Sequence, residues 1–377
     1  MVYLRCVRRL ALLVAQWWDR DRIERHATVS ESLARLSGGR LSELVDGGTV
    51  LGSGIGGASV LVRVGETQVF VKRVPLTELE RQPEHRRSTA NLFGLPVWCQ
   101  YGVGGASFGV WRELAAHLVT TGWVIAGRSR GFPLLHHWRV LDGPAFDGPL
   151  PDELGEVDRA VEYWHGSEAV RRRLEAIADS STTVALFMEC LPAPLPAWLR
   201  GLVDRGGEGL DDAVVTIEAQ LRSEILAMNA AGLFHFDAHL DNMLTDGELV
   251  YLADFGLATS TLFDLDDDER RFVEANRSHD VCYAISRLID WLVTATAGVQ
   301  DWVERNAYIQ RCAEGDEQAT GRHIPPFATS VITHYAPVAA IVNDFYRKLH
   351  TEDRRTPYPA DAVERACRVV GLMVAGS

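Results

Sequence analysis

The segment HFDAHLDN, His235 to Asn242, sets two histidines, two aspartates and an asparagine between apolar stretches. Such groups bind ions or move protons. Three chemistries compete for them: a metal site, a polar turn, or the centre of a phosphoryl transfer. A zinc site of the helical type needs both histidines on one helix face. His235 and His239 have the i, i+4 spacing, but Asp237-Ala238 between them and the hairpin pattern of MLTDGELVYLADFG favour a loop. Asp237 and Asn242 stand five apart, and Asp254 follows Asn242 by twelve, in LADFGLA. Asn242 and Asp254 offer hard oxygens of the kind Mg2+ takes. Asp237 has the chemistry to accept or orient the proton of an attacking hydroxyl.

Phosphate chemistry also needs a cradle and a cation. LGSGIGG supplies G-x-G-x-x-G at Gly52, Gly54 and Gly57, with Ser53 between the first two. A dinucleotide site would open a helix at the third glycine. Here Ser59-Val60-Leu61-Val62-Arg63-Val64 continues as a strand, and the Gly-Lys-Ser/Thr of a Walker loop is absent. A glycine turn between two strands fits, because backbone without Cβ atoms can lie close over phosphates. The next strand carries Lys72 in VFVKRV, and alternation puts Phe70, Lys72 and Val74 on one face. A lysine among apolar neighbours is costly unless paired.

Glycine loop, strand lysine, H-x-D-x-x-x-x-N and D-F-G occur in this order. Together they resemble the protein-kinase-like superfamily over roughly residues 48 to 295. The resemblance implies an α+β bilobal fold, with a small antiparallel sheet lobe and a mainly helical lobe. It implies ATP and Mg2+, and transfer of the γ-phosphoryl group to a hydroxyl. By the same resemblance Asp237 is the base, Asn242 and Asp254 hold the metal, and His235 is structural. Gly52, Ser53, Gly54, Gly57 and Lys72 face the phosphates. The adenine would meet the backbone of Met188-Glu189-Cys190-Leu191, with Glu189 and Leu191 as contacts. Asp280 would tie down the loop backbone; the simpler reading is a helix N-cap, and the two are not exclusive. Glu113 is the first candidate partner for Lys72, with Glu78 and Glu80 as alternatives.

The motifs mix two branches of that superfamily. His239 stands two after Asp237, where eukaryotic-type protein kinases usually carry lysine and aminoglycoside-phosphotransferase-type enzymes often carry histidine. Only 26 residues separate Asp254 from Asp280, and no A-P-E follows DFG. A peptide-binding platform would need more chain. DFGLA, by contrast, is a protein-kinase spelling. The stretch also looks like an actinobacterial kinase-like family, a likeness that brings no substrate. A small-molecule hydroxyl acceptor, antibiotic or metabolite, is the first expectation. A Ser/Thr protein is second, and a nucleotide-binding pseudokinase-like module is third. The run Asp264, Asp266, Asp267, Asp268, Glu269 reads as a docking site for a cationic acceptor, or as carboxylates at a helix N-terminus. The second reading is favoured.

These motifs need a scaffold of two parts. The chain has 377 residues, more than one core usually serves. Residues 1–47 read as a helical extension, with Leu10, Leu13, Val14 and Trp17 on one helix face rather than in a signal peptide. Residues 48–191 read as the β-rich part, with inserts near 75–110 and 142–177, the second a loop followed by a helix. Residues 192–377 read as helical and hold the loop. Arg171-Arg172-Arg173 is expected on an exposed helix face. A net charge of −13 disfavours nucleic acid as a partner. No run approaches the about 20 apolar residues of a membrane span. The six cysteines are scattered without a CxxC pair, as expected of reduced thiols in a cytoplasmic protein.

Overall fold

A computed structural model of the chain describes residues 20–102, 106–146, 148, 150–316 and 325–372. The expected helix face at Leu10, Leu13, Val14 and Trp17 lies outside these residues. Helix α1 covers residues 20–34, and α2 covers Gly38–Asp46. Between them the Ser37 hydroxyl accepts from the Arg40 N–H and starts α2 as an N-cap.

The chain then builds one antiparallel sheet of five strands: β1 Thr49–Gly54, β2 Gly57–Val64, β3 Thr67–Pro75, β4 Leu135–Asp142 and β5 Thr182–Glu189. Their spatial order is β1-β2-β3-β5-β4. Alternation gives the sheet two apolar faces. On one, Val60, Val62, Val69, Val71, Ala185 and Phe187 pack against Val29 and Leu33 of α1 and Leu41 and Val45 of α2. On the other, Phe70, Val74, Leu186 and Met188 meet Trp111 and Leu114. These belong to α4, Val110–Ile125, which follows the short α3, Glu78–Arg81. The helical extension is therefore part of the sheet's own core.

Two inserts interrupt the sheet. After β3, residues 76–109 contain α3, capped by a Thr77–Glu80 box, and 3-10 turns at Pro83–His85 and Val97–Tyr101. Between β4 and β5 lie α5 Asp152–Gly155, α6 Val157–Tyr163 and α7 Glu168–Ala178. The sequence suggested a loop to residue 158 and then one helix. Helix instead begins at Asp152 and breaks at His165 and Gly166, which take φ of 55° and 70°. The arginine run also departs from expectation. Arg173 falls on the inward Val170–Leu174–Ile177 face of α7, is 1% exposed, and pairs with Glu80 at 2.8 Å. Only a charged partner waiting inside makes that burial tolerable.

The second half is mainly helical. It contains α8 Leu195–Asp204, α9 Leu210–Ala230, α10 Asp267–Ala275, α11 His279–Ala297, α12 Trp302–Ala313, α13 Pro326–Thr351 and α14 Ala360–Val369. Leu221, Ile225, Ile285, Leu288, Ile289, Val338 and Val342 fill its core. Small ladders frame the polar loop, with Met243–Thr245 pairing Val250–Leu252, and Leu233–Phe234 pairing Thr259–Ser260. The Sγ atoms of Cys282 and Cys367 meet at 3.3 Å between α11 and α14. Among the described residues, no helix is long and apolar enough to cross a membrane.

Candidate active site

Lys72 lies on the β3 face that packs against α4, and it is 8% exposed. Its Nζ donates to Glu113 Oε1 and to Asp254 Oδ1, each at 2.8 Å. Glu113 is thus the partner among the three candidates. Glu80 is committed to Thr77, Arg173 and the Val110 N–H at the start of α4. Glu78 pairs with Arg81 near the surface. Burial alone would lower the Lys72 pKa, but Asp254 and Glu113 outweigh it and hold it above the usual lysine range. Partial enclosure would favour the neutral Asp254, yet the Lys72 ammonium and the Gly256 N–H keep it well below the usual range. Glu113, almost fully enclosed, is pushed up by burial.

The loop from His235 is built from buried hydrogen bonds. Asp280 accepts from the His235 N–H at 2.6 Å, the Phe236 N–H at 2.8 Å and Asn229 Nδ2 at 2.8 Å. It sits in the first turn of α11, whose N-cap is Ser278, so tying the loop is its role rather than capping. The His235 ring bonds the Ala253 carbonyl at 2.9 Å and lies against Phe255. Phe236 and Asp254 both take positive φ, 59° and 58°. Such strain in residues with side chains persists only where surroundings impose it, and it clusters at working sites.

Asn242 Nδ2 donates to both the carbonyl and Oδ2 of Asp237, at 3.0 and 2.9 Å. Two acceptors on that side fix the amide orientation and turn the Asn242 oxygen the other way. Asp237 keeps Oδ1 open, with His239 Nε2 3.6 Å away. Burial raises the Asp237 pKa, against the pull of His239 and His235. The group holds three carboxylates, Glu113, Asp237 and Asp254, against one lysine. That excess of carboxylates and the oxygens of Asn242 and Asp254 suit a hard divalent cation. Asn242 and Asp254 would supply part of the octahedral oxygen shell of Mg2+, the remainder coming from water or a bound ligand. Among the described residues, no cluster of three His, Cys, Asp or Glu side chains forms a closed metal cage.

The glycine motif forms a β1–β2 hairpin with Ile55-Gly56 at its tip. Its glycines have different reasons. Gly57, at φ 125°, lets β2 approach β3, since a Cβ there would sit 2.2 Å from the Arg73 carbonyl oxygen. Around Gly52 and Gly54 there is open space, and Ser53 is exposed. Gly56, which the motif did not single out, lies close to Lys72; a Cβ there would meet Nζ at 3.5 Å. Glu189 ends β5, and its N–H donates to the Leu134 carbonyl. Its carboxylate turns away to Arg22, so any ligand contact at Glu189 is left to its backbone. The Leu191 N–H makes no backbone hydrogen bond among the described residues.

Three participants escaped the sequence. Arg22 of α1 reaches Glu189 at 2.6 Å and the Arg130 carbonyl at 3.2 Å. His117, one turn after Glu113, is 1% exposed, has neither ring nitrogen partnered among the described residues, and meets Phe255 edge-on at 5.0 Å. Its position i+4 from Glu113 was the available signal. Gly102, in the first insert, lies beside Asp237. Apart from Asp264, which accepts from Thr89 Oγ1 at 3.2 Å, the acidic run takes part in helix chemistry. Asp266 caps α10 in a box with Glu269, Asp267 and Asp268 pair with Arg270 and Arg271, and Glu269 meets buried Arg112 at 2.7 Å. Cavities of about 310 Å³ lie elsewhere, at α5–α6 and at α8–α9. No protein-family model matches the chain, and no curated protein matches it.

Proposed function

We propose that the chain is a protein-kinase-like, ATP- and Mg2+-dependent phosphotransferase acting on a hydroxyl of a small molecule. The observation that carries this reading is the shared cation: Lys72 bridges Glu113 and Asp254 at 2.8 Å each. Sequence-distant residues of both halves meet there, beside an asparagine-oriented Asp237.

On this reading Lys72, aimed by Glu113, faces the phosphates of ATP. Asn242 and Asp254 would hold Mg2+, whose chemistry is to neutralise charge on the transferring group. Asp237 Oδ1 takes the acceptor's proton as the acceptor oxygen bonds phosphorus and the bond from phosphorus to the ADP oxygen breaks. A carboxylate whose pKa burial has raised is a better base for that proton. The free Leu191 N–H offers a donor to the adenine edge. Asp266 and Glu269 are engaged in the cap of α10, which favours a neutral acceptor over a cationic one.

The test is calorimetric titration with ATP. Binding should require Mg2+ and weaken in Asp254→Ala, while adenosine binding stays the same. Absence of ATP binding to the wild type would end the proposal.

A further inference from the structure

We propose that the Gln100–Gly102 turn of the first insert is the acceptor-side wall of the site, and that it restricts the acceptor to small molecules. This rests on the phosphotransferase reading. The insert leaves the sheet after β3 yet ends its path against the loop of the other half. Gly102 has φ 79°, and a Cβ there would stand 3.5 Å from Asp237 Oδ1 and 2.5 Å from Leu257 Cδ1. Oδ2 is held by Asn242, so Oδ1 is the oxygen left for an acceptor hydroxyl. The backbone of Gly102 therefore borders the place where that hydroxyl must sit.

The wall is anchored, not draped. Tyr101 is 4% exposed, its hydroxyl donates to Asn276 Oδ1 at 2.7 Å, and its ring packs among Phe236, Phe272, His279 and Phe345. Gln100 Nε2 donates to the Leu257 carbonyl. Further along, Thr89 Oγ1 accepts from the Asp264 N–H at 2.9 Å, and Arg112 at the start of α4 pairs with Glu269. The insert thus consumes backbone groups of the segment after Asp254. An extended peptide gains affinity by pairing with free backbone edges and by having room along them. Here the Leu257 carbonyl and the Asp264 amide are already taken, and Gly102 stands beside Asp237. A small hydroxylated molecule needs neither.

The experiment measures transfer of label from Mg2+-ATP, labelled at the γ position, to water, to glycerol and to a Ser/Thr peptide library. The wild type should label glycerol and leave peptides at background. Gly102→Ala combined with Leu257→Ala adds the methyl beside Oδ1 while removing the 2.5 Å clash. It should lower the glycerol-to-water ratio about tenfold or more, the scale of one misplaced methyl group. Gln100→Ala, which frees the Leu257 carbonyl without adding bulk, should raise the peptide-to-glycerol ratio; it carries the test if the double variant does not fold. Unchanged ratios in folded variants, or wild-type labelling of peptides as efficient as of glycerol, would overturn the wall alone. No turnover by the wild type, even to water, would overturn the phosphotransferase reading and the wall with it.

Discussion

Arg22 and Glu189 form a buried, forked ion pair across 167 residues of chain, with Nε to Oε1 at 2.8 Å and Nη2 to Oε2 at 2.6 Å. Glu189 also accepts from the Leu134 N–H. The first described helix is thereby bolted to the end of β5, where the chain passes toward its helical half. Arg22→Met should lower stability by about 3–5 kcal/mol, the cost of stranding a buried partner charge. Arg22→Met with Glu189→Gln should lose clearly less than the sum of the two singles, because the residues share one network. Urea denaturation of the four proteins checks this; additive losses would show that the pair is not coupled.

Glu113→Gln tests the aim of Lys72. The amide cannot share the lysine's charge, so the ammonium should settle on Asp254. Turnover should fall, and Lys72→Met should fall further. The double variant should be no worse than Lys72→Met, since Glu113 acts through Lys72. Kinetics of the three proteins decide it, and an extra loss in the double variant would give Glu113 a separate task.

His117 links burial to pH. Burial pushes its pKa down to about 3 from an ordinary value of 6.5. His136 is pushed to about 3 and His350 to about 4, burial leading in both. The unfolded chain takes up protons below about 6.5 that these rings refuse, so stability is full above that pH and falls as pH drops toward 3. His117→Leu should flatten this slope. It should also raise stability near neutral pH by about 1 kcal/mol, because an unsatisfied buried polar group is removed. Denaturation midpoints between pH 4 and 8 measure both effects; an unchanged slope would mean that the ring is hydrated.

The carboxylates of α10 give a prediction of the opposite kind. Changing Asp266, Asp267 and Asp268 together to Asn should weaken the α10 start by about 1 kcal/mol or less, since Asn still caps. The acceptor KM should not move, even at low salt where exposed charges act furthest. A raised KM that added salt erases would return these residues to the acceptor site.

Local pattern made much of the candidate site's geometry legible. Alternation in VFVKRV placed Lys72 on the packed face, and the spacing of Asp237, Asn242 and Asp254 marked residues that the hairpin Met243–Leu252 brings to one place. What stayed hidden depends on long-range partners. Arg173 looked exposed because nothing local shows that Glu80, 93 residues away, waits inside. Gly102 looked like loop composition because its constraint comes from Leu257 and Asp237. Gly57 was read as a phosphate glycine, and its φ of 125° and the nearby Arg73 carbonyl add a packing reason that the motif did not show. Arg22 lay in a stretch read only as helix, and its partner lies in another element altogether.

The most direct measurement follows ATP and its products by phosphorus NMR, with Mg2+ and a mixture of small hydroxylated compounds. The account predicts loss of the γ-phosphate resonance, formation of ADP and a new phosphomonoester signal. Asp237→Asn should slow this by about 10²–10⁴-fold, the range for losing a general base, with ATP binding retained. An unchanged nucleotide spectrum with the wild type, or an Asp237→Asn protein as fast as the wild type, would contradict it.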